Sequence, residues 1–72
     1  MSDPIFKHIK LTGTSNTSLE DAVNNALERA GRTIRNLRWF QVIDTRGSIA
    51  GGKVQQWQVT VEIGFGLDDE ED

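Results

Sequence analysis

The chain has 72 residues, 36% of them hydrophobic, with no cysteine and a formal net charge of −3. A domain of that length buries only roughly 60% of the surface its unfolded form exposes, so its core is thin and help from partner chains is expected. Without cysteine there is no disulfide framework, thiolate metal site or thiol nucleophile, and no apolar run of about 18 residues could span a bilayer; a soluble cytoplasmic protein is expected.

The charge is unevenly placed. Asp68, Asp69, Glu70, Glu71 and Asp72 form an acidic block, and the rest carries 8 basic against 6 acidic residues, a body of +2. The expected organisation is one domain over residues 1–67 and a disordered, solubilising tail over 68–72.

In chain order, residues 5–12 read as a first strand, with Ile9 and Leu11 on one face and His8, Lys10 and Thr12 on the other. "TGTSNTS" then supplies glycine and hydroxyl residues for a turn. Thr17 and Glu20 have the spacing of a capping box at a helix start. Leu19, Ala22, Val23, Ala26, Leu27, Ala30 and Ile34 follow at helical spacing, which predicts a helix over about 18–35 with one apolar stripe. Its alanines let it lie close to a sheet, while Gly31 weakens the last turn.

Two β-rich segments come next, 37–49 and 53–67. In the second, Trp57, Val59, Val61, Ile63, Phe65 and Leu67 alternate with Gln56, Gln58, Thr60 and Glu62, the pattern of a half-buried antiparallel strand. Gly51-Gly52 reads as a two-residue hairpin turn that sets Ala50 opposite Lys53. Extending that register pairs Phe40 with Ile63, Val42 with Val61, Trp39 with Gly64 and Thr45 with Gln58. Phe40 then belongs to the core, and Trp39, Gln41, Ile43 and Thr45 fall on the opposite face with Gln58, Thr60 and Glu62. A bulge downstream of the turn would reverse such an assignment. A large indole outside the core needs a partner chain or a ligand to cover it.

Several motifs carry the outward form of chemistry. "GSIAGGK" has the G-x-x-x-x-G-K spacing of a phosphate-binding loop, but Val54 stands where Ser or Thr is needed and a strand pattern follows where a helix is needed, so a glycine hairpin is the better reading. His8, the only histidine, has no carboxylate at metal-ligand spacing and reads as a surface residue. No serine has a base or nucleophile elbow beside it, so neither catalytic nor metal-ligating residues are expected. Arg29, Arg32, Arg35 and Arg38 recur every three residues near the helix C-terminus, where cations favour the helix dipole; a phosphate-binding surface for RNA is the competing reading.

The sequence "LTGTS" after a first strand, a helix ending "RAGRTIRNL", then "RWFQVIDTRG" and "VQQWQVTVEIGF" resembles the dodecins, their bacterial branch in particular, over residues 6–67. The resemblance implies an α+β fold: a β-α-β-β subunit whose three-stranded antiparallel sheet wraps around one helix, assembled into a hollow homododecamer. It implies a non-enzymatic flavin storage and sequestration protein that binds FMN, riboflavin or FAD in pairs between subunits, with no nucleic-acid or membrane partner. The family's stacking tryptophan falls on Trp39, its isoalloxazine-binding glutamine on Gln58, and the arginine of bacterial members on Arg46. A salt bridge within the assembly is the alternative role for Arg46. Bacterial members often carry arginine in the "GF-x-L" segment, where this chain has Gly66. Some members also bind coenzyme A near a threefold axis, for which no residue here can be carried over.

These roles suit the side chains. Indole is flat and electron-rich, a glutamine amide offers a donor beside an acceptor, and guanidinium presents a planar fork. On the ladder, Trp39 and Gln58 lie about six residues apart, roughly 20 Å at about 3.3 Å per residue, so one pocket would draw them from two subunits. The alternative to a flavin protein is a small oligomeric nucleic-acid-binding or structural interaction domain in which the tryptophan face is only an interface.

Overall fold

The structure, a computed structural model, describes residues 3–67; the predicted acidic tail lies outside the described residues. The element order is β1 (Phe6–Ser15), α1 (Leu19–Gly31), β2 (Leu37–Ala50) and β3 (Lys53–Gly66). β3 is central in an antiparallel sheet of order β1-β3-β2. The β-α-β-β order and three-stranded sheet are as the sequence implied.

α1 packs on one face of this sheet. Ala22, Ala26 and Ala30 recur every four residues and bury themselves against Val59, Val61 and Ile63 of β3, flanked by Ile9, Leu11, Val23, Leu27, Leu37 and Trp57. The closest approach is at Gly13. A Cβ there would collide with the Ala22 carbonyl and lie 2.9 Å from the Ala26 Cβ. Gly13 is therefore not a turn residue as read from the sequence: β1 runs on to Ser15, and the glycine lets a helix backbone rest on a strand.

The helix start also differs from expectation. Ser18, not Thr17, is the N-cap, its Oγ accepting from the Asp21 N–H at 3.0 Å. Asp21 in turn accepts a 2.7 Å hydrogen bond from the buried Ser15 Oγ, which itself accepts from the Thr17 and Ser18 N–H groups. This tie joins the end of β1 to the start of α1 and displaces the Thr17–Glu20 box by one residue. The helix stops at Gly31, four residues short of the predicted end, and Asn36 takes a left-handed φ of 66° to turn the chain into β2. The four arginines thus fall on the helix, the connecting loop and β2, not on one helical stripe.

The hairpin forms at Gly51 and Gly52, both at positive φ, with Ala50 opposite Lys53. The pairings Phe40–Ile63, Val42–Val61 and Trp39–Gly64 also hold. Between them and the turn lie two irregularities that the clean alternation hides: Gln55 is extra on β3, and Ile43 is extra on β2. The first shifts the register by one residue, which sets Gln58 opposite Arg46 rather than Thr45, and the second restores it. Thr45 consequently pairs with Val59 on the helix side, and Arg46 moves to the outer face. A third extra residue, Arg38, separates Leu37–Phe65 from Trp39–Gly64.

β2 is left largely uncovered, because α1 lies over β1 and β3. Phe40 faces the helix side as predicted, yet it remains 45% exposed and Val42 46%, so neither belongs to a closed core within one chain. An open apolar groove of about 420 Å³ separates them from Leu19, Val23 and Leu27. The chain is long and thin, 57 × 20 × 13 Å, and its radius of gyration of 15.1 Å exceeds the roughly 11 Å expected of a compact chain this long.

Candidate functional site

The sheet face turned away from α1 carries the three residues singled out by sequence. In antiparallel pairs, residues directly opposite share a face. The outer rungs are Phe6–Gly66, His8–Gly64–Trp39, Lys10–Glu62–Gln41, Thr12–Thr60–Asp44 and Thr14–Gln58–Arg46. Trp39 is at one end of this face and Gln58 with Arg46 toward the other.

Trp39 is seated on a strand rather than standing beside it. A Cβ added to Gly64 would collide with Cε2 and Cζ2 of the indole and lie 2.8 Å from Nε1, so the ring crosses β3 where no side chain stands in its way. Across β3 it meets β1: the Phe6 ring is 5.0 Å away between centroids at 63°, and the His8 ring 5.6 Å away at 87°. Both are edge-type arrangements that fix an aromatic ring in place. Beside His8 stands Glu62, with its Oε2 3.7 Å from the His8 Nδ1. Since β3 covers its underside, the 41% of Trp39 still exposed lies away from the sheet. The result is a supported flat aromatic surface open to solvent.

At the other end, Arg46 Nε donates to Gln58 Oε1 at 2.8 Å, and Gln58 Nε2 donates to Gln56 Oε1 at 3.0 Å. Because guanidinium can only donate, Arg46 fixes which end of the Gln58 amide is oxygen, and each end keeps one unused hydrogen-bonding position. The amide is half-buried, oriented, and able to offer one donor and one acceptor side by side. The rung offset between Gln58 and Gly64 remains six residues on β3, so the indole and this amide stay roughly 20 Å apart at about 3.3 Å per residue.

All three residues singled out by sequence, Trp39, Gln58 and Arg46, lie on this outer face, with Gln58 and Arg46 brought together and Trp39 apart from them, while Phe6, His8 and Gly64, which seat the indole, were not singled out. The signal was present in part: 6 and 8 have the parity of the polar face of β1, and Gly64 interrupts an otherwise unbroken strand. Among the described residues, no group of three or more His, Cys, Asp or Glu could hold a metal ion, and no helix is long and apolar enough to cross a membrane.

An indole laid on a glycine, on the outer face of a β-α-β-β sheet whose helix-side groove is open, defines a class of small α+β protein. The comparisons agree on which class. The Dodecin family model matches residues 5–68. A dodecin of Thermus thermophilus is 43% identical over 65 residues, covering 90% of this chain and 94% of that protein. Among solved structures, a Thermus thermophilus protein superposes with a TM-score of 0.90 at 42% identity over 93% of this chain and 98% of its own. Dodecin from Streptomyces davaonensis also reaches a TM-score of 0.90, at 37% identity over 94% and 100%. This chain belongs to the dodecin family.

Proposed function

We propose that the protein is a flavin-binding storage protein without catalytic turnover, acting as a cytoplasmic homododecamer that holds FMN, riboflavin or FAD between copies of Trp39. The observation that carries this reading is the seating of Trp39 on Gly64, with the indole's open side directed away from the sheet. A flat, rigid, electron-rich surface is what an isoalloxazine stacks on, with a contribution of about 0.5–1.5 kcal/mol beyond area burial. Close stacking lets indole give an electron to the excited ring, which quenches it and limits its photochemistry.

The donor–acceptor edge of Gln58 matches the adjacent carbonyl and N–H of the flavin's pyrimidine edge, and Arg46 holds that amide in register. Its separation from Trp39 supports a pocket shared between chains, since one ring cannot touch both in one subunit. A twofold contact would present two copies of each and suit two flavins. The exposed Phe40 and Val42, the open groove beside them and the extended shape support assembly: this surface is apolar and needs cover.

Titration of FMN into the protein tests the reading. Flavin fluorescence is expected to be quenched at micromolar protein, with light scattering giving about twelve times the 8.0 kDa chain mass. Trp39→Ala is expected to assemble normally and lose quenching. Unquenched fluorescence with the natural chain, or normal binding by Trp39→Ala, would refute the proposal; salt-sensitive RNA binding in place of flavin binding would favour an interaction domain.

A further inference from the structure

We infer that Arg38 is the residue that reads the phosphate of a bound flavin, so that this protein takes the phosphorylated flavin in preference to riboflavin. The inference rests on the flavin reading above and adds a ligand group and a residue to it.

Arg38 is the extra residue of the bulge between Leu37 and Trp39. A bulge of this kind re-aims a side chain that strict alternation would send elsewhere. Its destination is visible at Gly66. The Arg38 Nε and Nη2 atoms lie 3.8 Å from where a Cβ on Gly66 would stand. Gly66 pairs with Phe6, and Phe6 touches Trp39, so that missing Cβ would point to the outer face. The guanidinium therefore sits over Gly66 on the same face on which the indole sits over Gly64. The two glycines are two residues apart on β3, about 7 Å at about 3.3 Å per residue, a gap that a ribityl chain can bridge.

Charge supports the assignment. Arg38 is exposed, and among the described residues no carboxylate forms an ion pair with it. The other charged groups at this end of the outer face are His8, Glu62 and Lys10: Glu62 Oε2 lies 3.7 Å from His8 Nδ1 and Lys10 is the rung partner of Glu62, while Lys7 belongs to the helix side by its pairing with Phe65. A guanidinium with unused donors beside an aromatic platform suits a phosphomonoester dianion, which accepts two parallel N–H bonds from a planar fork. Riboflavin, which ends in a hydroxyl, has nothing to offer it but a neutral hydrogen bond.

The test is parallel fluorescence titration of the intact assembly with FMN and with riboflavin, using the natural chain, Arg38→Met and Arg38→Lys. The natural chain is expected to bind FMN about tenfold more tightly than riboflavin. Added salt should weaken FMN binding and leave riboflavin binding unchanged. Arg38→Met should abolish the preference by weakening FMN alone, and Arg38→Lys should retain part of it. An FMN to riboflavin ratio that is the same in the natural chain and Arg38→Met overturns the inference while leaving the flavin reading intact, as does an equal loss of both ligands. Failure of the natural chain to bind either flavin overturns both. Light scattering on each variant shows that the assembly is preserved.

Discussion

Gly64→Ala probes the seat of the indole, and its sign depends on whether Trp39 is there. A Cβ at residue 64 would collide with two carbons of the ring and sit 2.8 Å from Nε1, closer than real carbon contacts come, so the ring must tip away from β3. Adding one methyl group to a packed contact costs typically about 1–3 kcal/mol. Lifting the indole also disturbs its contacts with Phe6 and His8. Set against this, alanine in a strand interior is better than glycine by roughly 0.5–1 kcal/mol, because less backbone freedom is lost on folding. With Trp39 present the substitution should destabilise by about 1–2 kcal/mol. With Trp39→Ala the obstacle is gone and the same change should be neutral or stabilising. The double-mutant cycle, measured by denaturant unfolding at one fixed protein concentration, should therefore give a coupling of about 2 kcal/mol. Equal destabilisation by Gly64→Ala in both backgrounds would refute the seating.

Two further predictions concern how α1 is held. Gly13→Ala drives a methyl group into the Ala22 carbonyl, which belongs to helix backbone and cannot rotate away, so a loss of at least about 2 kcal/mol or failure to fold is expected, read from far-ultraviolet circular dichroism and denaturant unfolding. Ser15→Ala removes a buried hydroxyl that donates to Asp21 and accepts from two backbone N–H groups; it should cost about 1–3 kcal/mol in the same unfolding assay, more than Thr17→Ala, whose hydroxyl is not the cap.

What the sequence could and could not convey follows from where each signal resides. Period 2 in β3 and period 3.6 in α1 reflect burial by the chain itself; β3 and the Gly51-Gly52 turn, whose backbone needs positive φ twice, lie where predicted, and α1 does so except for its last turn. The bulges carry no such signature. Nothing in "QVIDT" marks Ile43 as the extra residue, because its strand is exposed on both faces and no burial pattern constrains its register. That is why simple alternation turns Arg46 to the helix side, whereas in the structure it pairs with Gln58 on the outer face. Phe40 fails for the complementary reason. Its apolar character predicts burial under the helix, but α1 covers only β1 and β3 and leaves it half-exposed.

The irregularities of the β2–β3 ladder share one consequence. Without the extra residues at 43 and 55, Arg46 and Gln58 would not be rung partners on the outer face, and Gln58 would lose the donor that fixes its amide. Without the extra residue at 38, the strand would have to turn either Arg38 or Trp39 away from its present place, because neighbours in a regular strand alternate faces. The bulge puts a cation and an indole next to each other on one face, over Gly66 and Gly64 respectively. A regular sheet offers same-face neighbours only every second residue, so a flat aromatic surface with an adjacent guanidinium requires such a break. Gly64 is the other half of the arrangement, since a side chain there would collide with the indole, whereas a Cβ at Gly66 would meet the guanidinium only in ordinary contact, 3.8 Å away. A ligand on this face would therefore find its seat at the Trp39 end, where two breaches of regular strand chemistry coincide and neither improves the packing of the chain's own core.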